Sequence, residues 1–273
     1  MLGRSAMSTL QEAEYGAGRD YAHGSPHLTH RRLRERVESN LVDLVRDQIA
    51  RHGRCLVLDV GAGHGTFAQA LVAAGADVTV TEMSAPSADF LRTRFAGVPE
   101  VKVVHDPDAA YGPPLVEEGC ELVVFISVLH HIPDYLATVR SLVERLPEGA
   151  AFYSTQDPLW YADRSRASLA ASRASYLVWR VRQGDLRRGV STTWRRLRGV
   201  HDPGNPADMV EYHVVRDGVD EKALGDLLRA FFADVRVTSY WATQSPALQR
   251  VGERARLRSD FSIRATGRLG TSA

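Results

Sequence analysis

Three stretches of this chain carry side chains, or lack them, in patterns that suit chemistry. The first is "CLVLDVGAGHGTF", residues 55–67, where an apolar run ends in Asp59 and glycine then recurs at Gly61, Gly63 and Gly65. Glycine at a strand-to-helix turn lets backbone approach a ligand with no Cβ in the way. The spacing is G-x-G-x-G. It is not the G-x-G-x-x-G of dinucleotide sites, which sets pyrophosphate over a helix N-terminus. An acid at Asp59 would repel a diphosphate and favour a cationic ligand. The second stretch is "ISVLHHIPDY", residues 126–135, with adjacent imidazoles at His130 and His131. Histidine exchanges its proton near neutral pH and suits general-base work. The third is "STQDPLWYADR", residues 154–164. There Gln156 and Asp157 can touch a small molecule and Trp160 and Tyr161 can wall it; "PLW" equally suits a helix entry packed on the core.

These stretches need a scaffold that brings them to one edge. From residue 55 short β-branched runs alternate with amphipathic segments. Strands are expected at "CLVLDV", "DVTVTE", "EVKVVH", "ELVVFISVL" and "GAAFYSTQ", with helices between them. Gly75 closes the first of those helices and Asp134 caps the one after the fourth strand. "DPDAAYGPP" reads as irregular. Near the C-terminus "DEKALGDLLRAFF" reads as a helix, and "DVRVTSYW" and "DFSIRATG" as strands. Before the alternation, Leu33, Val37, Leu41, Leu44, Val45 and Ile49 fall three and four apart, which predicts a helix from 28 to about 52. The pattern specifies an α/β fold: a Rossmann-like, doubly wound, mostly parallel seven-stranded sheet. It carries an N-terminal helical lid and a helical insert after the fifth strand. Residues 1–53 form the lid and helix, 54–158 with 207–273 the sheet domain, and 159–206 the insert.

"LDVGAGHGTFAQAL" resembles the first motif of the class I S-adenosylmethionine-dependent methyltransferases, of the small-molecule type. The cofactor of that family bears a sulfonium and an ammonium but no phosphate. The likeness covers residues 55 to about 155 well by order of elements, and the last helix and two strands loosely. It implies S-adenosylmethionine as cofactor, with Asp59, Gly61 and Gly63 at the first turn. Glu82 ends the second strand, where the family places its ribose-binding acid; as a carboxylate it can accept both ribose hydroxyls. It also suits a helix N-terminus. Met83 would flank the adenine, and Asp106 would accept the adenine amino group, Asp108 being close enough to replace it. "ISVLHHIPDY" resembles a segment of small-molecule members and implies Ser127 and Val128 along the methionine side, with His130 and His131 at the mouth where the methyl leaves.

Methyl transfer from a sulfonium mainly needs alignment, and a hydroxyl acceptor must also lose a proton. His130 or His131 is the natural base; one of them can instead shape the loop. His27 and His213 are lesser acceptor-site candidates, and Tyr21 and Tyr15 can close over the cofactor carboxylate. Between residues 160 and 200 stand ten arginines, Arg164 to Arg198, against two acids. This suits a solvated helical cap, an anionic acceptor, or an anionic lipid or nucleic-acid surface.

The net charge of +1 and an apolar fraction of 44% favour no partner class and allow an ordinary core. Cys55 and Cys120 are the only cysteines, and neither has metal-ligand spacing. No metal is expected. The first sixteen residues lack the apolar region of a signal peptide, and no stretch has the apolar length of a membrane span. A cytoplasmic small-molecule O-methyltransferase is the leading expectation, with no stable nucleic-acid partner. An RNA methyltransferase is the nearest rival, though no (D/N)PP(Y/F) motif stands at the fourth strand. A nicotinamide oxidoreductase and a non-catalytic cofactor-binding scaffold are the others.

Overall fold

The computed structural model describes residues 25–107, 112–117, 119–182 and 218–270 of the 273-residue chain. Tyr15, Tyr21, Asp108, Arg187, Arg188, His213 and most of the arginine-rich insert lie outside the described residues.

Seven strands form one sheet. They are β1 (Leu56–Val60), β2 (Asp77–Glu82), β3 (Val101–His105), β4 (Leu122–Ile126), β5 (Ala151–Pro158), β6 (Phe232–Tyr240) and β7 (Asp260–Arg268), in the order β3-β2-β1-β4-β5-β7-β6. The first five pair in parallel, while β7 runs antiparallel between β5 and β6. The order in which successive strands are laid down reverses between β1 and β4, which leaves a crevice beyond their carboxyl ends, the usual place for a ligand in such sheets. The antiparallel β7 has a local consequence. Its first residue, Asp260, pairs with Pro158 at the far end of β5, so an acid from the C-terminal region reaches the same edge as the β4 and β5 ends.

Helices cover both faces. They are α1 (Pro26–Thr29), α2 (Arg31–His52), α3 (Thr66–Ala73), α4 (Ala85–Arg94), α5 (Gly112–Glu117), α6 (Tyr135–Val143), α7 (Arg166–Arg182), α8 (Glu221–Arg229) and α9 (Pro246–Arg254). The apolar stripe of α2, through Val37, Leu41, Leu44 and Val45, joins Val57, Val78, Val124 and Tyr153 from the strands and Leu71 and Leu91 from α3 and α4. The opposite face packs Val139, Leu142 and Val143 of α6 and Leu224 and Leu228 of α8 on Leu58, Val123, Phe125, Phe152, Ile263 and Ala265. Burial on both faces explains why β4 reads as an unbroken apolar run and β1 as one broken only by Asp59.

Capping fixes the entries. Asp134 accepts from the Ala137 N–H at 3.1 Å and Ser84 from the Ser87 N–H at 3.4 Å. Asp220 accepts from the N–H groups of Lys222 and Ala223 at 3.1 and 2.8 Å. Such caps satisfy N–H groups that the first turn leaves without intrahelical partners.

Three boundaries depart from the sequence expectation. The fourth strand stops at Ile126, not Leu129: Ser127 takes a positive φ of 61°, and Leu129–His131 winds into a 3₁₀ turn. The end of the "irregular" stretch after β3 forms α5, with Pro113 and Pro114 in its first turn, where a missing N–H costs nothing. Residues 246–254, given no element from sequence, form α9 behind Pro246.

Candidate functional site

The glycine turn leaves β1 with Gly61, Gly63 and Gly65 all at positive φ, 68°, 56° and 72°. The Gly61 and Ala62 N–H groups donate to the Thr81 carbonyl at 2.9 and 3.1 Å, which ties the turn to the end of β2. A Cβ on Gly61 would lie 2.9 Å from Val128 Cγ2, and one on Gly65 2.6 Å from the Phe95 ring. At Gly63 a Cβ would meet nothing within 4 Å. Gly61 and Gly65 are therefore glycine for packing as well as for φ. Gly63 faces open space, which fits close approach of a ligand.

Glu82 sits across this turn. Its Oε2 accepts from the Gly63 N–H at 3.0 Å and its Oε1 from the Ser84 N–H at 3.2 Å. Each carboxylate oxygen has a second lone pair, so both can still take a hydroxyl. Burial raises the Glu82 carboxyl, and the N–H donors of Ser84, Gly63 and Met83 oppose the rise. Asp59, buried at the end of β1, is pushed up to about 7, first by burial and then by the charge of Glu82. Among the described residues no lysine or arginine pairs with either acid. Two carboxylates held this close without a cation suit a positively charged ligand bearing a diol, and they oppose a pyrophosphate. Next along the edge, the buried Asp106 donates its N–H to the Glu82 carbonyl at 2.8 Å. Met83 is half-buried, and its carbonyl lies 3.0 Å from His105 Nε2. Ser127 and Val128 follow β4 on the other side of the crevice and are half-buried.

The histidines differ. His130 is buried, while His131 is half-exposed, its ring 4.0 Å from that of His130. His130 Nδ1 lies 2.7 Å from Asp157 Oδ1, and its backbone N–H donates to the same oxygen at 3.1 Å. Ser154 donates to the other oxygen, Oδ2, at 2.9 Å. An ionised carboxylate only accepts, so the Nδ1 proton lies on that contact and the lone pair of the neutral ring is on Nε2. Asp157 thereby fixes both the rotamer and the tautomer of the ring, the geometry that general-base work requires. β4 and β5 are neighbours in the sheet, which is what joins residues 130 and 157.

Gln156 is buried at a bulge in β5, with φ of 64°. Its N–H donates to the Tyr240 hydroxyl and its Nε2 to Asp260 Oδ1, each at 3.0 Å. Trp160 and Tyr161 are half-buried where β5 leaves the sheet; the Trp160 N–H donates to the buried Glu221 at 3.3 Å. His27, on α1, is buried and stacks on Phe67 with ring centres 5.8 Å apart. Burial, and then the nearby His130, push His27 down to about 3, so it is neutral at any working pH. The Thr243 carbonyl lies 2.6 Å from His30 Nε2 and anchors the start of α2 over the end of β6. Cys55 and Cys120 are buried free thiols, each raised to about 12 by burial.

The sequence reading gave Asp157 as a residue that can touch a small molecule and gave no reading for Tyr240 or Asp260; the structure sets Asp157 against His130, and Tyr240 and Asp260 against Gln156. Two signals for the acids were present: an acid directly after a buried strand, and an acid opening the last strand.

No helix among the described residues is long and apolar enough to cross a membrane, and no cluster of metal-ligating side chains is found among them. Residues 28–191 match the family model of a methyltransferase domain. No curated protein sequence matches the chain. Among solved structures it is similar to the plantazolicin methyltransferase BamL, determined with a desmethyl analogue and S-adenosylhomocysteine: 12% identity, TM-score 0.50, covering 97% of this chain and 96% of that one. It is also similar to the CurJ carbon methyltransferase at 12% identity and TM-score 0.53, over 89% of this chain and 57% of that one. A third similarity is to an S-adenosylmethionine-dependent methyltransferase from Archaeoglobus fulgidus, at 14% identity and TM-score 0.50, over 85% and 94%. At these identities the structures testify to the fold, while the family model spans more than half of the chain. With the parallel sheet and its glycine turn, it establishes that this chain belongs to the methyltransferase-domain family, the class I S-adenosylmethionine-dependent enzymes.

Proposed function

We propose that the protein transfers the methyl group of S-adenosylmethionine to a hydroxyl of a small molecule, with His130 as the general base. Asp59, Gly61, Gly63, Glu82, Met83, Asp106, Ser127 and Val128 hold the cofactor. Glu82 takes the ribose hydroxyls on the oxygens already braced by the Gly63 and Ser84 N–H groups. Asp59 and Glu82 together favour the cofactor's positive charge. The Asp106 carboxylate accepts from the adenine amino group, and Met83 lies against the ring. Ser127 and Val128 line the methionine side, Val128 being set in place by contact with the Gly61 turn.

When bound, S-adenosylmethionine supplies a methyl group already activated on sulfur, and the S–CH₃ electron pair stays with sulfur as the new O–CH₃ bond forms. The protein's work is alignment and proton removal. His130 Nε2 accepts the acceptor's hydroxyl proton. Asp157, holding Nδ1–H, stabilises the imidazolium that results. His131 shapes the rim against the His130 ring. A small acceptor is supported by the similarity to a plantazolicin methyltransferase determined with a desmethyl analogue, and by the half-buried aromatic pair Trp160 and Tyr161 where β5 leaves the sheet.

One observation carries the assignment of the base: the 2.7 Å contact between a buried imidazole and a fully buried carboxylate at the strand ends beside the glycine turn. The test is twofold. Calorimetry should detect S-adenosylhomocysteine and not NADH. With methyl-labelled cofactor and extracted small metabolites as acceptors, label should enter a product, and His130→Ala should lose that transfer while still binding S-adenosylhomocysteine. Full transfer by the variant would remove His130 as base.

A further inference from the structure

Beside His130 lies a second group of polar side chains that cofactor binding does not use. Gln156 Oε1 and Arg164 Nε are both buried and lack a hydrogen-bond partner. Both lie round Asp260. Gln156 donates to it at 3.0 Å, and Arg164, whose guanidinium stands over the Tyr161 ring at 5.3 Å, feels its charge. The site is built into the scaffold. Ser259 donates to Asp260 at 2.6 Å, and Arg164 donates to the Ser168 carbonyl at 3.3 Å. Ser168 Oγ in turn accepts from the Arg258 N–H at 3.2 Å, so the start of α7 is fastened to the chain just before β7.

The backbone here is strained at two adjacent strand ends. Ser127 and Gln156 are both at positive φ, 61° and 64°, and the Ser127 N–H donates to the Thr155 carbonyl at 2.8 Å. Side chains other than glycine are held in this region only where the surroundings force it, and such residues gather at functional sites. A buried acceptor and a buried donor left unpaired are likewise uncommon in folded chains and call for a reason.

We propose that Gln156 and Arg164 form an acceptor-recognition subsite next to His130, and that it takes an uncharged molecule bearing the reactive hydroxyl beside a carbonyl or amide. The proposal rests on the methyltransferase reading above. Gln156 Oε1 accepts from the N–H or O–H of that neighbouring group, and Arg164 Nε donates to its carbonyl. A neutral acceptor is favoured because an ionised carboxylate offers no donor to Gln156 Oε1 and would set a negative oxygen against it, beside Asp260. The chemistry read from these described residues therefore differs from the anionic acceptor suggested by the arginine count.

The test uses the full chain saturated with S-adenosylhomocysteine and two probes of equal shape, salicylamide and salicylate. Calorimetry should show salicylamide binding at least about tenfold more tightly, and Gln156→Met and Arg164→Met should each weaken it by about tenfold, the worth of one buried hydrogen bond. Both variants should keep the wild-type affinity for S-adenosylhomocysteine, which also reports that they fold. Equal or tighter binding of salicylate, binding of neither probe, or salicylamide affinity untouched in both variants would overturn the proposal. Failure of the wild-type chain to bind S-adenosylhomocysteine would instead bring down the reading beneath it.

Discussion

Asp157 grips His130 twice through one oxygen, at Nδ1 (2.7 Å) and at the backbone N–H (3.1 Å), while Ser154 occupies its other oxygen. The carboxylate thus sets where the ring lies and which nitrogen carries the proton. Asp157→Ala takes the acceptor away from both N–H groups of His130, so neither the ring position nor the tautomer stays fixed and the proposed base is lost. The expected result is a fall in kcat of about 10²-fold or more with the cofactor KM unchanged. ¹⁵N chemical shifts of His130 should report a mixture of tautomers. A purely structural role would lower thermal stability without that spectroscopic change.

Glu82 should decide cofactor affinity. Glu82→Ala strips the Gly63 and Ser84 N–H groups of their partner and removes the two charge-assisted ribose contacts proposed for this carboxylate. Loss of one such contact is worth about 1.5–3 kcal/mol, so the dissociation constant for S-adenosylhomocysteine should rise by about 10- to 100-fold or more. Unchanged affinity by calorimetry would take Glu82 out of the site.

The glycine turn and Glu82 were legible because each sits at a strand end, and strand ends follow from hydrophobic patterning. The two stretches that carry His130 and Asp157 were legible for the same reason, but their contact was not. It depends on β4 and β5 lying side by side, a pairing between residues 27 positions apart. Asp260 was less legible still. Its strand was expected, but only insertion of β7 between β5 and β6, running antiparallel, brings its first residue to the sheet edge where His130 and Asp157 meet. The end of β4 was misjudged because "SVL" suits a strand, whereas tertiary context turns Ser127 to positive φ and ends the ladder.

Cofactor binding should depend on pH through Asp59. Its carboxyl is raised from 3.8 to about 7 by burial and by Glu82, so the folded chain without cofactor holds a proton that the unfolded chain releases near 4. Folded stability from this group is therefore present at low pH and lost as pH climbs from about 4 through 7. A cationic ligand reverses the cost by favouring the ionised form. Affinity for S-adenosylmethionine, which carries the sulfonium charge, should rise from pH 5 to about 7 and flatten above it, with proton release at pH 6 seen as a buffer-dependent binding enthalpy. Asp59→Asn should abolish that release. A flat profile in the wild-type chain would disprove the coupling.

The three glycines of the turn should fail in different ways when given a methyl group. Each has positive φ, so alanine costs roughly 1–2 kcal/mol of backbone strain at any of them. At Gly65 the new Cβ also meets the Phe95 ring at 2.6 Å and Leu91 at 2.8 Å, and at Gly61 it meets Val128 at 2.9 Å. At Gly63 it meets nothing. Thermal denaturation without cofactor should therefore rank Gly65→Ala and Gly61→Ala as more destabilising than Gly63→Ala. Cofactor affinity should separate them differently. Gly63→Ala adds its methyl to the open space over the turn where the cofactor is proposed to lie, and should weaken S-adenosylhomocysteine by at least about tenfold, despite leaving the fold the most intact of the three. If Gly63→Ala binds S-adenosylhomocysteine as the wild type does, the open space beside that glycine is not where the cofactor lies.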